Sequence, residues 1–274
     1  MAYDDFGIRM KIYEGVESNR RLMPLLPVLA RMDGRSFHNF TKGMNRPFDK
    51  RFTEAMINTT KYLVEETGAT IGYTQSDEIS LAWYSNDIKS QIFFDSKIMK
   101  MTSQLAAITT LIFYREVDKL LPDYVDRLPS FDARVWNTPT LAEAAQVFVW
   151  REMDATRNSV NMLASEHFSD KELLGKTSFE RHGMLYGKGI KWEDYPTYFK
   201  RGTYIQRKKE YKKFTSDEIE KLPEKHEAKL NPNLTVERSI VSIIDMPRIT
   251  SIQNKISTLF FGEEPEVKLD EPKL

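Results

Sequence analysis

The sequence predicts an α+β protein: a ferredoxin-like βαββαβ domain followed by a mostly helical C-terminal extension. Three observations predict it. Short β-rich runs bounded by turn residues occur at 28–32, 70–74, 79–84 and 131–136. Two longer segments between them repeat apolar residues every three or four positions, the helical period. The resulting order, strand-helix-strand-strand-helix-strand, is the split βαβ pattern, whose first and third strands lie antiparallel at the centre of the sheet.

Taken in order, residues 1–26 are mixed and charged, with a helix expected around Asp5 to Glu17. Pro27 opens the run Val28-Leu29-Ala30-Arg31-Met32, and Asp33-Gly34 closes it as a turn dipeptide. Residues 35–47 read as a polar and aromatic loop. From Phe48 to Thr67 the positions Phe52, Ala55, Met56, Thr59 and Leu63 follow the helical period, and Gly68 supplies the stop. Thr70–Thr74 and Ile79–Tyr84 form a hairpin around Gln75-Ser76-Asp77-Glu78. A second long helix carries the stripe Ile98, Met101, Leu105, Ile108, Ile112 and Phe113.

Beyond residue 138 a helix is expected over about 141–166, and Thr177-Ser178-Phe179-Glu180 has the form of a capping box. Residues 183–203 read as mostly loop. Two late strands, Tyr204–Arg207 and Ser239–Ile244, flank a polar, lysine-rich insertion at 208–235. The expected division is the βαββαβ domain with its N-terminal extension at 1–137, a mostly helical extension packed on it at 138–262, and a disordered acidic tail at 263–274.

With 41% apolar residues among 274, the chain can bury a substantial core. The absence of cysteine excludes disulfides and thiolate zinc sites. Forty basic residues balance forty acidic ones, so a nucleic-acid partner would be met by local patches rather than a global field. Such patches occur at Asn19-Arg20-Arg21, Lys42–Arg51, Lys200-Arg201 and Arg207–Lys213. The acidic N-terminus lacks the order of a secretion signal, and no apolar run approaches the ~20 residues of a membrane helix. A soluble, cytoplasmic protein with no membrane partner is expected.

The chemistry centres on two acids. Taken alone, Asp33-Gly34 and Ser76-Asp77-Glu78 are ordinary turn sequences. The predicted topology changes that, because the C-terminal end of strand one abuts the N-terminal end of strand three and brings Asp33 to Asp77. Carboxylates so paired fit a two-metal nucleotidyl-transfer centre, in which cations bind a triphosphate and activate an attacking oxygen. Gly34 lets backbone approach a ligand and can lend its carbonyl to magnesium. Residues 35–38 (Arg35, Ser36, Phe37 and His38) can add backbone N–H groups around phosphates. His38 on its own reads as a packed loop residue. Arg31, Arg46 and Lys97 are surface cations until a phosphate is placed near them.

Five segments in matching order resemble the tRNA-histidine guanylyltransferase family: Arg31–Phe40, Gln75–Glu78, Phe131–Arg134, Trp150–Asp154 and Tyr198–Thr203. The resemblance spans residues 25–205 and implies a palm like that of polymerases and nucleotide cyclases. It implies addition of nucleotides to tRNA 5′ ends in the 3′-to-5′ direction, with ATP and GTP or another NTP as substrates, in a homotetramer built as a dimer of dimers. It further implies that Asp33, the Gly34 carbonyl and Asp77 bind two Mg2+ ions, with Glu78 completing the catalytic acids. Residues 33–38, Ser76 and Asp77 would cradle the triphosphate with Arg46 and Lys97, and Arg46 stands where the family commonly has lysine. One departure concerns substrate. Histidine-tRNA enzymes carry a His-Ile-Asn-Asn-Leu-Tyr run where this chain reads Asp154–Val160, and Thr156 replaces the histidine. That resembles the guanylyltransferase-like branch, whose members repair 5′-truncated tRNAs on a template. A nucleotide cyclase and a non-catalytic RNA-binding module are the competing expectations.

Overall fold

The computed structural model describes residues 5–231 and 233–268. Its strands are β1 (Val28–Gly34), β2 (Ile71–Gln75), β3 (Glu78–Trp83), β4 (Phe131–Asn137), β5 (Thr203–Lys213) and β6 (Thr235–Ile244). They form one six-stranded sheet in the order β4-β1-β3-β2-β5-β6, and every pairing is antiparallel. Its helices up to the last third of the chain are α1 (Asp5–Ser18), α2 (Phe37–Phe40), α3 (Lys50–Thr67), α4 (Ile98–Leu120) and α5 (Leu141–His167). Shorter ones follow as α6 (Asp170–Leu173), α7 (Ser178–Gly187), α8 (Thr197–Arg201), α9 (Ser216–Lys221) and α10 (Glu227–Leu230).

Side chains alternate across a strand, so β1 presents two different faces. Val28, Ala30 and Met32 join Ile79, Leu81 and Trp83 under α3 and α4, in a core with Met56, Leu63, Met101, Leu105 and Phe113. Leu29 faces the other way, with Ile71, Tyr73, Tyr204 and the α5 residues Ala144, Ala145 and Phe148. The two residues that follow on this second face, Arg31 and Asp33, are polar. The α5 face of the sheet therefore runs from apolar at the Leu29 end to charged at the Asp33 end. That gradient places a polar site at one end of the sheet's central strands.

The loop after Gly34 is pinned by aromatic packing. Phe37 and Phe40 are buried, and the Phe37 ring centroid lies 4.9 Å from Phe131 and 5.6 Å from Phe113. Aromatic pairs at such distances add roughly 0.5–1.5 kcal/mol each beyond the area they bury. A Cβ on Gly34 would enter the Phe37 ring, so glycine is required there by packing. Asp49 caps α3 by accepting the Arg51 N–H at 3.0 Å, and Gly68, at φ 68°, ends it in the left-handed region.

The structure corrects four sequence readings. Residues 35–47 are not wholly loop, since the buried Phe37 and Phe40 draw one helical turn, α2, into the core. Residues 183–203 contain half of α7 and all of α8. The Thr177–Glu180 capping box starts α7, and Gly183, with open space around it, does not stop it. The 208–235 insertion is largely regular. Strand β5 runs on to Lys213 and pairs with β6 back to Thr235, a ribbon outside the core that needs no apolar alternation. The extension remains mostly helical and adds the two expected late strands, now longer, to the same sheet. Of the tail, residues 263–268 run beside 251–254, with Gln253 N–H donating to Glu266 and Lys268 N–H to Ser251, both at 2.8 Å. Residues 269–274 lie outside the described residues.

Candidate active site

Asp33 pairs in register with Glu78 on β3 and with Asp132 on β4, so three carboxylates stand at one level on the α5 face of the sheet. Asp77 is tied to the same end, because the Gly34 N–H donates to its carbonyl oxygen at 3.1 Å. The adjacency of Asp33 and Asp77 expected from topology is therefore present. Burial pushes the Asp77 carboxyl above its ordinary pKa, and the charge of Asp33 adds to the rise. A 3.0 Å hydrogen bond from Ser76 Oγ opposes it. Two acids that repel each other in a partly buried corner are a poor arrangement without a cation and a good one with it.

Glu78 and Asp132 are held differently. The Arg151 guanidinium of α5 donates to Glu78 through Nε and an Nη at 2.6 and 2.7 Å, and Arg31 Nε lies 3.7 Å from the same carboxylate. Burial still raises the Glu78 pKa, with Arg151 and Arg31 acting against it. Glu78 thus serves as a buried anchor between β3 and α5, with its oxygens committed to arginine. Asp132 is exposed and paired to Arg134 at 3.0 Å. The Trp150–Asp154 segment gives Arg151 no role by itself; only the β3–α5 packing reveals what that arginine holds.

Magnesium uses one or two carboxylates together with substrate phosphates and water, in preference to an all-protein cage. Among the described residues no group of three or more His, Asp or Glu is arranged to hold a metal ion. Asp33 and Asp77, with the Gly34 carbonyl beside them, fit the sparser magnesium donor set.

Both acids are followed or preceded by left-handed serines. Ser36 has φ 55° and Ser76 φ 52°, a region that costs a non-glycine residue about 1 kcal/mol or more. Each turns the chain sharply beside an acid. A cleft of about 300 Å³ opens next to them, and His38, Arg46 and Ser76 share its wall. Its apolar side includes Phe48, Met162 and Phe199, with Phe48 and Phe199 stacked at 4.8 Å. Periodicity could not have found these residues, which come from a loop, α5 and α8. Arg46 is exposed and lies 3.7 Å from Glu166. Arg35 on the loop and His38 in α2 are exposed, and Phe37 is buried with its ring in the core.

Lys97 does not join this group. It precedes α4 and bridges to Arg21, whereas Thr110, further along the same helix, accepts the N–H of Phe131 at the Gly34 end. At ~1.5 Å of helix rise per residue, Lys97 lies roughly 20 Å from that end. Helix α4 must descend from the far end of β3, and this carries Lys97 away from the acids.

The fold and site define a mixed α/β nucleotide-handling class, with an acid pair at one end of an antiparallel sheet and a half-apolar cleft of about 300 Å³ beside it. Comparison with known proteins names the group within that class. Residues 7–139 match the family model described as Thg1, tRNAHis guanylyltransferase. A bacterial tRNA(His) guanylyltransferase (Thg1)-like protein in complex with ATP is 35% identical, with a TM-score of 0.69 over 74% of this chain and 87% of that one. A bacterial Thg1-like protein in complex with GTP is 28% identical, with a TM-score of 0.69 over 90% and 94%. The tRNA(His) guanylyltransferase of Debaryomyces hansenii is 26% identical over 86% of this chain and 94% of its own length. This chain belongs to the tRNA(His) guanylyltransferase family of nucleotidyltransferases.

Proposed function

We propose that the protein is a magnesium-dependent 3′-5′ nucleotidyltransferase that extends the 5′ ends of tRNAs, and that its main task is templated repair of 5′-truncated tRNAs. The observation that carries the reading is the tie between Gly34 and Asp77, which sets two acids beside the cleft of His38, Arg46 and Ser76. The antiparallel strand order β4-β1-β3-β2 supports a palm of ferredoxin-like type for residues 1–137, with 138–262 supplying RNA contacts. The 5′ phosphate first attacks the α-phosphorus of ATP and expels pyrophosphate, giving an adenylylated end, and the 3′-hydroxyl of an incoming NTP then attacks the 5′ phosphorus and expels AMP. Asp33 and Asp77 would hold the magnesium ions, which supply charge neutralisation and a lowered hydroxyl pKa when bound. Backbone N–H groups of residues 36–38 and Ser76 orient the triphosphate, that of Arg35 being donated to the Ser130 carbonyl at 2.9 Å, and Arg46 exchanges Glu166 for phosphate oxygens. Arg151 keeps Glu78 from competing for the cations.

Thr156 favours repair over guanosine addition. Its hydroxyl donates to the Glu152 carbonyl at 2.8 Å within α5, so it offers no substitute for a histidine aimed at substrate. The names of the relatives favour the other reading, addition of one guanosine to histidine tRNA. Incubation with labelled NTPs, magnesium and tRNAs lacking their first nucleotide, beside full-length histidine tRNA, separates the two. Preferential extension of the truncated tRNAs is expected. Preference for full-length histidine tRNA would assign guanosine addition, and no incorporation into any RNA would refute the proposal.

A homotetramer is proposed with it. Helix α1 buries none of its residues and exposes Phe6, Ile12, Tyr13 and Val16, an apolar face suited to a second subunit. A cytoplasmic site of action is the matching proposal; among the described residues no helix is long and apolar enough to cross a membrane.

A further inference from the structure

A second cleft, of about 800 Å³, opens at the end of the sheet opposite the acids. Trp83 lines it, and Trp83 pairs with Val28, whereas Asp33 pairs with Glu78. At ~3.3 Å per strand residue the two sites are roughly 17 Å apart. No aspartate or glutamate lines this cleft, but Arg207, Lys208 and Lys209 do. Two aromatic rings stand beside the cations: Tyr84, and Phe261, which is 59% exposed. They meet edge-on at 6.4 Å.

The cations have local explanations that leave them available. Lys209 pairs with Glu237 at 2.8 Å and Lys208 with Glu264 at 3.4 Å, both partly exposed pairs that hold a lysine weakly. Arg207 donates through Nε to Ser239 Oγ at 2.7 Å and lies against Gly68, at the C-terminal end of α3. There its charge offsets the partial negative charge of the helix end, which would otherwise repel an anion.

We propose that this cleft binds an unpaired RNA strand. Lys208 lies on the Phe261 side of β5 and Arg207 and Lys209 on the other, so the cleft at the open end of the sheet meets cations from both faces beside exposed aromatic edges, which suits a chain of alternating phosphates and flat bases. Phe261 can stack only on a base whose face is free, which a duplex does not offer. By the same measure the cleft is larger than the 300 Å³ one beside Ser76, so it has room for more than one nucleotide. The inference rests on the reading that RNA is the substrate and adds a place for its single-stranded part.

The test is fluorescence anisotropy of a short labelled single-stranded RNA and of a blunt duplex of the same length, titrated with the full chain across a salt series. The wild type should bind the single strand more tightly. Arg207→Ala/Lys209→Ala should weaken binding about tenfold and reduce the salt slope by roughly 1.4, at ~0.7 for each phosphate left without its cation. Phe261→Ala, an exposed position that keeps the fold, should weaken it about tenfold with the slope unchanged. Unchanged affinity in both variants would overturn the proposal, as would equal binding of the duplex or displacement of the strand by ATP. Because binding is read without catalysis, strand binding by an enzyme that extends no RNA would refute the reaction and keep the cleft. Extension with unaltered binding in the variants would do the reverse.

Discussion

Arg151→Ala tests the central claim about Glu78. The pair is nearly dry, with side chains 12% and 14% exposed, and is joined by two hydrogen bonds at 2.6 and 2.7 Å. Removing the guanidinium leaves a buried carboxylate facing Asp33, with only Arg31 Nε at 3.7 Å as compensation. Breaking a buried pair from one side costs about 3–5 kcal/mol, and the remaining arginine places this case near 3 kcal/mol. For a chain of this size that is roughly 6–12 °C in Tm. Thermal and urea unfolding of Arg151→Ala, Glu78→Gln and the double variant measure it. The double variant should recover most of the loss, because the uncompensated charge is gone. Nucleotidyl transfer by Arg151→Ala should fall with the freed negative charge beside Asp33. A loss below about 0.5 kcal/mol, with no recovery in the double variant, would mean the pair is solvated and Glu78 is free to act on substrate.

Other outcomes follow from the same geometry. The Asp77 carboxyl has a raised pKa in the folded state, so the folded chain binds a proton more readily than the unfolded one. In cation-free buffer stability should therefore fall as pH rises from the ordinary aspartate range through the raised value, and Asp77→Asn should make that fall shallower in an unfolding series, leaving the share of Glu78, whose raised pKa acts with the same sign, while eliminating transfer activity. Magnesium at ten times its Kd should stabilise the wild type by about 1.4 kcal/mol in thermal unfolding and leave Asp33→Ala unmoved; equal shifts in both would place the ion elsewhere. Gly34→Ala should cost about 2 kcal/mol by pushing a Cβ into the Phe37 ring, and Gly34→Ala/Phe37→Leu should regain part of it. Lys97→Ala should leave NTP affinity within twofold in equilibrium binding, since its end of α4 is far from the acids.

Much of the architecture was legible in the residues because it rests on local rules. Alternation in 28–32 and 79–83 and the three-to-four spacing of Met101, Leu105 and Phe113 are periodicities, and each matches an observed element. The order of those elements placed Asp33 beside Asp77, since antiparallel neighbours meet end to start. The ribbon from Arg207 to Lys213 escaped the same rules: strands outside the core carry no apolar signature, so a lysine-rich stretch reads as insertion.

The sequence by itself thus determined the strand and helix framework and the end of the sheet where two acids meet. Tertiary structure alone decided which charged residues act together. Arg151 and Glu78 are far apart in the chain and become partners only when α5 packs on β3. Lys97 looked equivalent to Arg46 in the chain, yet Arg46 lines the cleft beside Ser76 while the rise of α4 carries Lys97 roughly 20 Å from the Gly34 end. A charged side chain carries no periodic signal, and its role is set by what the fold brings within a few ångströms of it.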